Sequence, residues 1–426
     1  MAKKGTFNGT FFGNFSSRLH GTPVRFGLLL GQPVEDGLGD VLFAAATPEL
    51  AQEEGEPSTQ PKELVSLLKS SANGVSFTEW AKQHASAVRK LLPAGLEPLG
   101  CFVVASEAMV KDLAPLLVPI LLQFSEPLVL SIDPSTRKNS FWQLAAGFKP
   151  ALRPAQMKPD NYKDHVLLWT VTNIDILLPQ IYSHEAGNVD ELAAEVNRLV
   201  DESLKSCLTS LCSERSVPQV VDLDSESILA SALPKDCHQL RVAFLRPASV
   251  LRAGEGTLRQ RCVLTSSALL LRQNVELRHA VAKLREELAA SAAERVRLAL
   301  EECENPGGVL HLPWRSLFTP EDLQFPVWLG DYCMPDEAHE AAKERLGQLL
   351  GIQESALEEA PEYLDEHTIL KAKHEGTYRP RTMEQAKAPP AKEKEKAQGS
   401  TPAVPALAAC VGMVVLILAV AIPKLL

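Results

Sequence analysis

The stretch Ser76–Ala105, SFTEWAKQHASAVRKLLPAGLEPLGCFVVA, decides the fold class because its hydrophobic period changes halfway along. Phe77, Trp80, Ala81, His84, Ala85, Val88, Leu91 and Leu92 recur at helical spacing and give one wide apolar face. Ser76 with Glu79 three residues on forms a capping-box start, and Pro93 ends the helix. After the turn Pro93-Ala94-Gly95, Leu99–Ala105 is continuously apolar and reads as a buried strand. A helix delivered straight into a buried strand is an α/β arrangement. His84 lies on the apolar face, where a histidine is a packing residue before it is a ligand.

Working outward, Val24–Leu30 is an apolar strand ending at Gly31-Gln32, and Val41–Ala45 is a second strand after a Gly/Asp turn. Thr47–Pro61 is a polar loop. Ala108–Phe124 is an apolar helix carrying Pro115 and Pro119, which predict a kink or a split. Leu128–Ile132 and Val166–Leu178 read as strands, Asp133–Asp164 as loops, and Val189–Leu211 as a helix. Leu240–Leu245 and Leu258–Leu264 are strands around the turn Gly254-Glu255-Gly256. A long helix over Asn274–Cys303 carries the stripe Leu277, Val281, Leu284, Leu288, Ala292 and Val296, and Asn305-Pro306-Gly307-Gly308 stops it. Its heptad is not sustained, so packing on its own sheet is favoured over a coiled coil. An aromatic and Pro-rich piece, Val309–Tyr332, then leads to a helix over Asp336–Leu350.

The ends differ from the body. Residues 1–22 read as a flexible arm, with no apolar run long enough for a signal peptide. Residues 353–402 lack the apolar content to fold and read as a disordered tether. The run AVPALAACVGMVVLILAVAI, Ala403–Ile422, holds no charge and at about 1.5 Å per residue spans about 30 Å, a bilayer's hydrocarbon core. Ala403, Val404, Leu407, Val411, Val414, Val415, Leu416, Ile417, Leu418, Val420 and Ile422 would face lipid. Lys387, Lys392, Lys394 and Lys396 precede the run and Lys424 alone follows it. The expected topology is therefore a single-pass tail anchor with the bulk of the chain cytosolic.

A net charge of −10 over 426 residues excludes a broad nucleic-acid-binding face. The eight cysteines form no C-x-x-C pair, and the ten histidines never occur as H-x-H or at i, i+4. Phosphate-loop, dinucleotide, zincin and serine-hydrolase templates are absent. Cys333 with His339 suggests a cysteine protease only weakly, since Met334-Pro335-Asp336 gives the thiol no activating context; a core cysteine is the better reading. No catalytic residue, metal ligand or cofactor is expected.

Several ordered pieces carry a resemblance: Phe26–Gln32 (with Gly27, Leu28, Gly31 and Gln32), Glu79–Ala85 (with Trp80) running to Pro93-Ala94-Gly95, Leu99–Val104 (with Gly100), Gly256–Cys262, Leu312-Pro313-Trp314-Arg315, and Gly330-Asp331-Tyr332. With the terminal anchor, they resemble the odorant-response-abnormal-protein-four family of tail-anchored receptor-trafficking factors. That resemblance implies an MPN (JAB-type) sandwich core, in an overall α/β (α+β) fold with strand–helix additions, a disordered tether and one transmembrane helix. Active MPN domains carry a glutamate near the first strand and a zinc-binding H-x-H after the strand-ending glycine. Here Pro23–Leu30 holds no carboxylate and Cys101–Ala105 is apolar, so the resemblance implies a pseudoenzyme. The expected division is 1–22 arm, 23–235 MPN-like domain with an unmatched insert at 133–235, 236–352 second α/β part, 353–402 tether and 403–422 anchor. The family further implies residence in the endoplasmic reticulum membrane, with the mitochondrial outer membrane a second possibility on anchor character. It implies multispanning receptors as clients and a ubiquitin-fold-modifier-specific protease as partner. The alternative is a tail-anchored tethering protein unrelated to modifier proteolysis.

Overall fold

The computed structural model describes residues 4–369 except 20–23, 35–36, 49–63, 73–74, 146–150, 161–164, 179–185, 214–218, 222–238, 246–249, 255–257, 272–275, 303–310, 324–326, 362–363 and 367. The anchor run, the Lys-rich tract before it, the Gly256-Thr257 motif and most of the Thr47–Pro61 loop lie outside the described residues. Among the described residues no helix is long and apolar enough to cross a membrane.

The architecture is mixed α/β. Chain order opens with β1 (Lys4–Asn8), α1 (Gly9–Arg18), β2 (Phe26–Gln32) and β3 (Asp40–Ala46). The short helix α2 (Leu64–Leu68) and the hairpin β4 (Ser71–Ala72)–β5 (Val75–Ser76) lead into α3 (Phe77–Leu91). Next come β6 (Glu97–Val104), α4 (Glu107–Leu121), β7 (Leu128–Ile132), β8 (Asn139–Ala145), β9 (Ala151–Pro154) and β10 (Gln156–Asp160). β6, α4 and β7 form a βαβ unit, the two strands pairing in parallel. The first sheet has the order β10-β1-β3-β2-β6-β7-β8-β9. Only Ala155 separates β9, which pairs with β8, from β10, which pairs with β1, so the sheet closes on itself.

The expected flexible arm is instead part of this sheet. β1 pairs with both β10 and β3, and α1 packs Phe11, Phe12 and Phe15 against it. Phe15 meets Phe102 edge-on at 5.2 Å and Phe12 meets Phe141 at 6.3 Å. Burial of three aromatics outweighs the poor helix propensity of Gly9, Gly13 and Asn14. Elsewhere Phe26 meets Phe77 of α3 edge-on. α4 runs unbroken through Pro115 and Pro119, because both sit on its exposed side, where the carbonyls they leave free reach water.

The second sheet contains β11 (His165–Leu178), β12 (Leu208–Ser213), β13 (Gln219–Val221), β14 (Gln239–Leu245), β15 (Val250–Arg252) and β16 (Leu258–Leu271). β16 pairs antiparallel with the whole of β11, from His165↔Leu271 to Leu178↔Leu258. On its other side β11 pairs in parallel with β14 and β15. Helices α5 (Ala186–Lys205) and α6 (Leu277–Glu301) cover one face, and all six stripe residues of α6 are buried in that core. The third sheet is β17 (Trp314–Pro320), β18 (Leu329–Cys333) and β19 (Leu357–Glu359), with α7 (His339–Leu350) beside it.

Three further expectations are corrected. Asn139–Ala145, Ala151–Pro154 and Gln156–Asp160, expected as loops, are the strands that close the first sheet. The division at 235/236 falls inside the second sheet, since β12 pairs with β14 and β11 with β16. The stretch 133–235 is therefore no single insert: its first part completes one sheet and its remainder, with a helix ending at Lys205 and a strand from Leu208, helps found the next. The tether does not begin at 353 either, because β19 pairs with β17, and Leu364, Glu366 and Ile369 are buried.

Candidate functional site

Gly100, the strand glycine singled out by the family resemblance, lies on β6. A Cβ at Gly100 would fall on the carbonyl of Leu128 in the neighbouring strand, so glycine lets the two backbones approach. Cys101, Phe102 and Val103 beyond it are fully buried, and burial pushes the Cys101 thiol up. Among the described residues no group of three or more His, Cys, Asp or Glu side chains could hold a metal. The side chains here pack; they do not ligate.

Two motif positions, Gln32 and the Pro93-Ala94-Gly95 turn, meet elsewhere, on the outer edge of β16. That edge would leave a row of unpaired backbone groups. Leu271 N–H donates to Gln32 Oε1 at 3.1 Å. Ala94 N–H donates to Ser267 O at 2.9 Å, and Leu269 N–H donates to Ala94 O at 3.1 Å. Gly95 permits this approach with φ +86°, close to the Leu269 carbonyl. Further along, Arg295 Nη1 donates to Val263 O at 2.9 Å and Thr265 N–H donates to Glu366 Oε1 at 2.7 Å. Residues 263, 265, 267, 269 and 271 thus spend their outward groups on the first sheet, on α6 and on the C-terminal stretch.

Glu366 is the centre of this seam. Its fully buried carboxylate also accepts from Thr265 Oγ1 (2.6 Å), Arg295 Nη2 (2.7 Å) and the Arg315 backbone N–H (2.7 Å). Burial opposes the charge on Arg295, but facing Glu366 holds its pKa above the ordinary value. Arg315, equally buried, pairs with Glu287. The Tyr332 ring lies 5.7 Å from the Arg295 guanidinium and 5.9 Å from that of Arg315, and its hydroxyl donates to Ser291 Oγ. Beside it, burial raises the Asp331 carboxyl against the pull of Arg345, whose Nε lies 2.9 Å away.

One cluster invites a catalytic reading. Ser316 Oγ lies 3.2 Å from Cys333 Sγ and 2.8 Å from His339 Nδ1. Ser316 and Cys333 have no exposed surface, and burial raises the Cys333 thiol, so no nucleophile is presented to substrate. Ser316 Oγ meets Cys333 Sγ and His339 Nδ1 where the third sheet adjoins α7.

The structure thus places Gly27, Leu28, Gly31 and Gln32 on β2, Trp80 on α3, Pro93 in the following turn, Gly100 on β6, Pro313 before β17, and Gly330, Asp331 and Tyr332 on β18. Trp80 donates its indole N–H to Pro48 O. A Cβ at Gly330 would strike the Arg315 side chain. Gln32 and the Pro93 turn meet at the seam, and Gly330–Tyr332 line its ionic end. Sequence reasoning missed Arg295, Arg315, Glu287 and Glu366 as a group. One signal was available: Arg295 follows Leu288 by seven residues and Ala292 by three, placing a cation on the apolar stripe.

Comparison with known proteins gives four matches. The odorant response abnormal 4-like family model matches residues 27–359. A "Protein odr-4 homolog" from Gallus gallus is 32% identical over 125 residues, 29% of this chain and 23% of the relative. One from Mus musculus is 29% identical over 129 residues, 30% of this chain and 25% of the relative. The chain spans about a quarter of the length of these curated relatives. A crystal structure of UfSP from C. elegans covers 83% of this chain and 57% of its own, at 10% identity and a TM-score of 0.39.

Proposed function

The chain belongs to the odorant response abnormal 4-like family, and from that premise we propose that it is a non-catalytic adaptor held on the endoplasmic reticulum membrane. In this reading Ala403–Ile422 is the anchor and the first sheet with its helices is an MPN-like pseudoenzyme core. The adaptor assists folding or trafficking of multispanning receptors and recruits a ubiquitin-fold-modifier-specific protease. The observation that carries the pseudoenzyme reading is the filling of the metal position by Cys101, Phe102 and Val103, all buried. A strand committed to packing cannot offer imidazole or carboxylate to zinc, and without zinc no water is activated. What remains useful is a rigid body of three sheets joined along one seam, which suits docking.

The partner assignment is tested by recovering full-length chain from detergent-solubilised membranes and probing for the protease. Co-recovery is expected; its absence under conditions that retain other membrane complexes overturns the assignment.

A further inference from the structure

A cavity of about 280 Å³ opens at the carboxyl ends of the parallel strands β6 and β7, away from the seam. That end of parallel strands is where α/β sheets take ligands. Leu19, Val104 and Ile132 give the cavity apolar walls. Arg25, just before β2, and Arg137, in the turn between β7 and β8, line it with two cations. Val104 N–H donates to Arg25 O and Ala105 N–H donates to Ile132 O, both at 3.0 Å, so the strand ends around it are fixed. Arg25 Nη1 also donates to Val24 O at 3.2 Å, which ties its guanidinium to the strand entrance.

The turn fixes Arg137 in the same way. Arg137 N–H donates to Asp133 O at 2.8 Å, and Asp133 N–H donates to Lys138 O at 3.1 Å. The Asp133 carboxylate, also in the wall, accepts from the Thr136 and Ser135 N–H groups at 2.8 Å each, and these bonds hold its pKa below the ordinary value. Among the described residues Arg137 alone has a positive φ without being glycine, at +58°. Glycine would meet that backbone at less cost, so the turn itself has no need of a guanidinium. The neighbouring Lys138 is taken by Glu107 at 2.7 Å.

We propose that this cavity binds a phosphate monoester group, held by Arg25 and Arg137. The inference does not depend on the family reading. Two guanidinium forks offer more donors than the two oxygens of a carboxylate accept in bidentate fashion, whereas the three terminal oxygens of a phosphate monoester serve both. The apolar walls strengthen each charged contact and suit the carbon substituent of an ester. Such a group belongs to a soluble phosphate ester or to a lipid headgroup.

Thermal unfolding of the full-length chain in detergent tests this, because a ligand of the folded state raises the midpoint with its concentration. The probes are inorganic phosphate and glycerol 3-phosphate, each against sodium chloride at equal ionic strength, and micelles carrying phosphatidic acid against micelles carrying phosphatidylcholine. At least one probe should raise the midpoint above its control. A response to the soluble probes assigns a free ester, and a response to phosphatidic acid alone assigns a headgroup. Arg137→Gly keeps the turn, which glycine suits, and should weaken binding by roughly 10- to 100-fold, the loss expected for charge-assisted hydrogen bonds; Arg25→Gln should do the same. A parent midpoint that no probe moves beyond its control overturns the proposal, and this readout needs no variant. So do Arg137→Gly and Arg25→Gln chains that respond as the parent does.

Discussion

Gly95→Ala probes the seam between the first two sheets at its tightest point. Gly95 has φ +86°, where an L side chain costs about 1–2 kcal/mol. The added Cβ would also stand 2.7 Å from the Leu269 carbonyl oxygen and 2.9 Å from Leu270 Cδ2, closer than real contacts allow. The obstacle is the backbone of β16, which β11 pairs along its whole length, so relief falls to the Pro93 turn. Moving that turn weakens both bonds of Ala94 to β16, at about 1 kcal/mol each. The sum is a destabilisation of about 3–4 kcal/mol. Equilibrium denaturation of the full chain in mild detergent reads it through tryptophan fluorescence, since Trp169 and Trp328 lie edge-on at 6.3 Å. Gly13→Ala is the control: it lies in exposed helix with nothing within 4 Å of the new Cβ and should gain about 0.5–1 kcal/mol. A Gly95→Ala chain as stable as its parent, or two variants shifted alike, refutes the seam geometry.

The buried His84 ring lies between Thr47 Oγ1 and Leu349 O, and burial lowers its pKa to about 4 from 6.5. As pH falls through 6.5 the unfolded chain takes up a proton that the folded chain refuses. Stability therefore drops between pH 6.5 and about 4, by about 3 kcal/mol in all. His84→Asn should flatten that stretch of the stability–pH curve, and parallel curves would show that His84 is not the cause. Phe12→Ala should cost about 3–5 kcal/mol by denaturant titration if α1 is structural, whereas a loose arm would lose nothing. Metal analysis of the purified full-length chain should find no stoichiometric zinc, with melting unchanged by chelator; one equivalent of zinc would reverse the non-catalytic reading.

What could be read from the sequence was whatever depended on local pattern. The 77–91 helix and 97–104 strand followed from a period change with a cap at Ser76 and a stop at Pro93. α6 followed from its stripe. Pairings whose partners lie far away left little local trace. Gln156–Asp160 is polar and exposed, and it is a strand because β1 pairs with it rather than through any alternation of its own. α1 is rich in Gly, Asn and Ser, and its signal was the spacing of Phe11, Phe12 and Phe15. Glu366 stands in an acidic stretch whose composition resembles a linker. Its role depends on Thr265, Arg295 and Arg315, the nearest of them 51 positions away. Of the candidate site, the sequence showed the glycines and the Gly330-Asp331-Tyr332 motif, but not that this motif is a strand or that Gln32 and Ala94 serve one strand edge.

The claim that placement is this chain's function is tested most directly by fractionating cells depleted of it and following the modifier-specific protease. If the chain holds the protease in place, the protease moves from membranes to the soluble fraction on depletion. It then returns with the full-length chain, but not with a chain lacking residues 403–422. A protease that stays on membranes without this chain, or that the anchorless chain restores equally well, would contradict the claim.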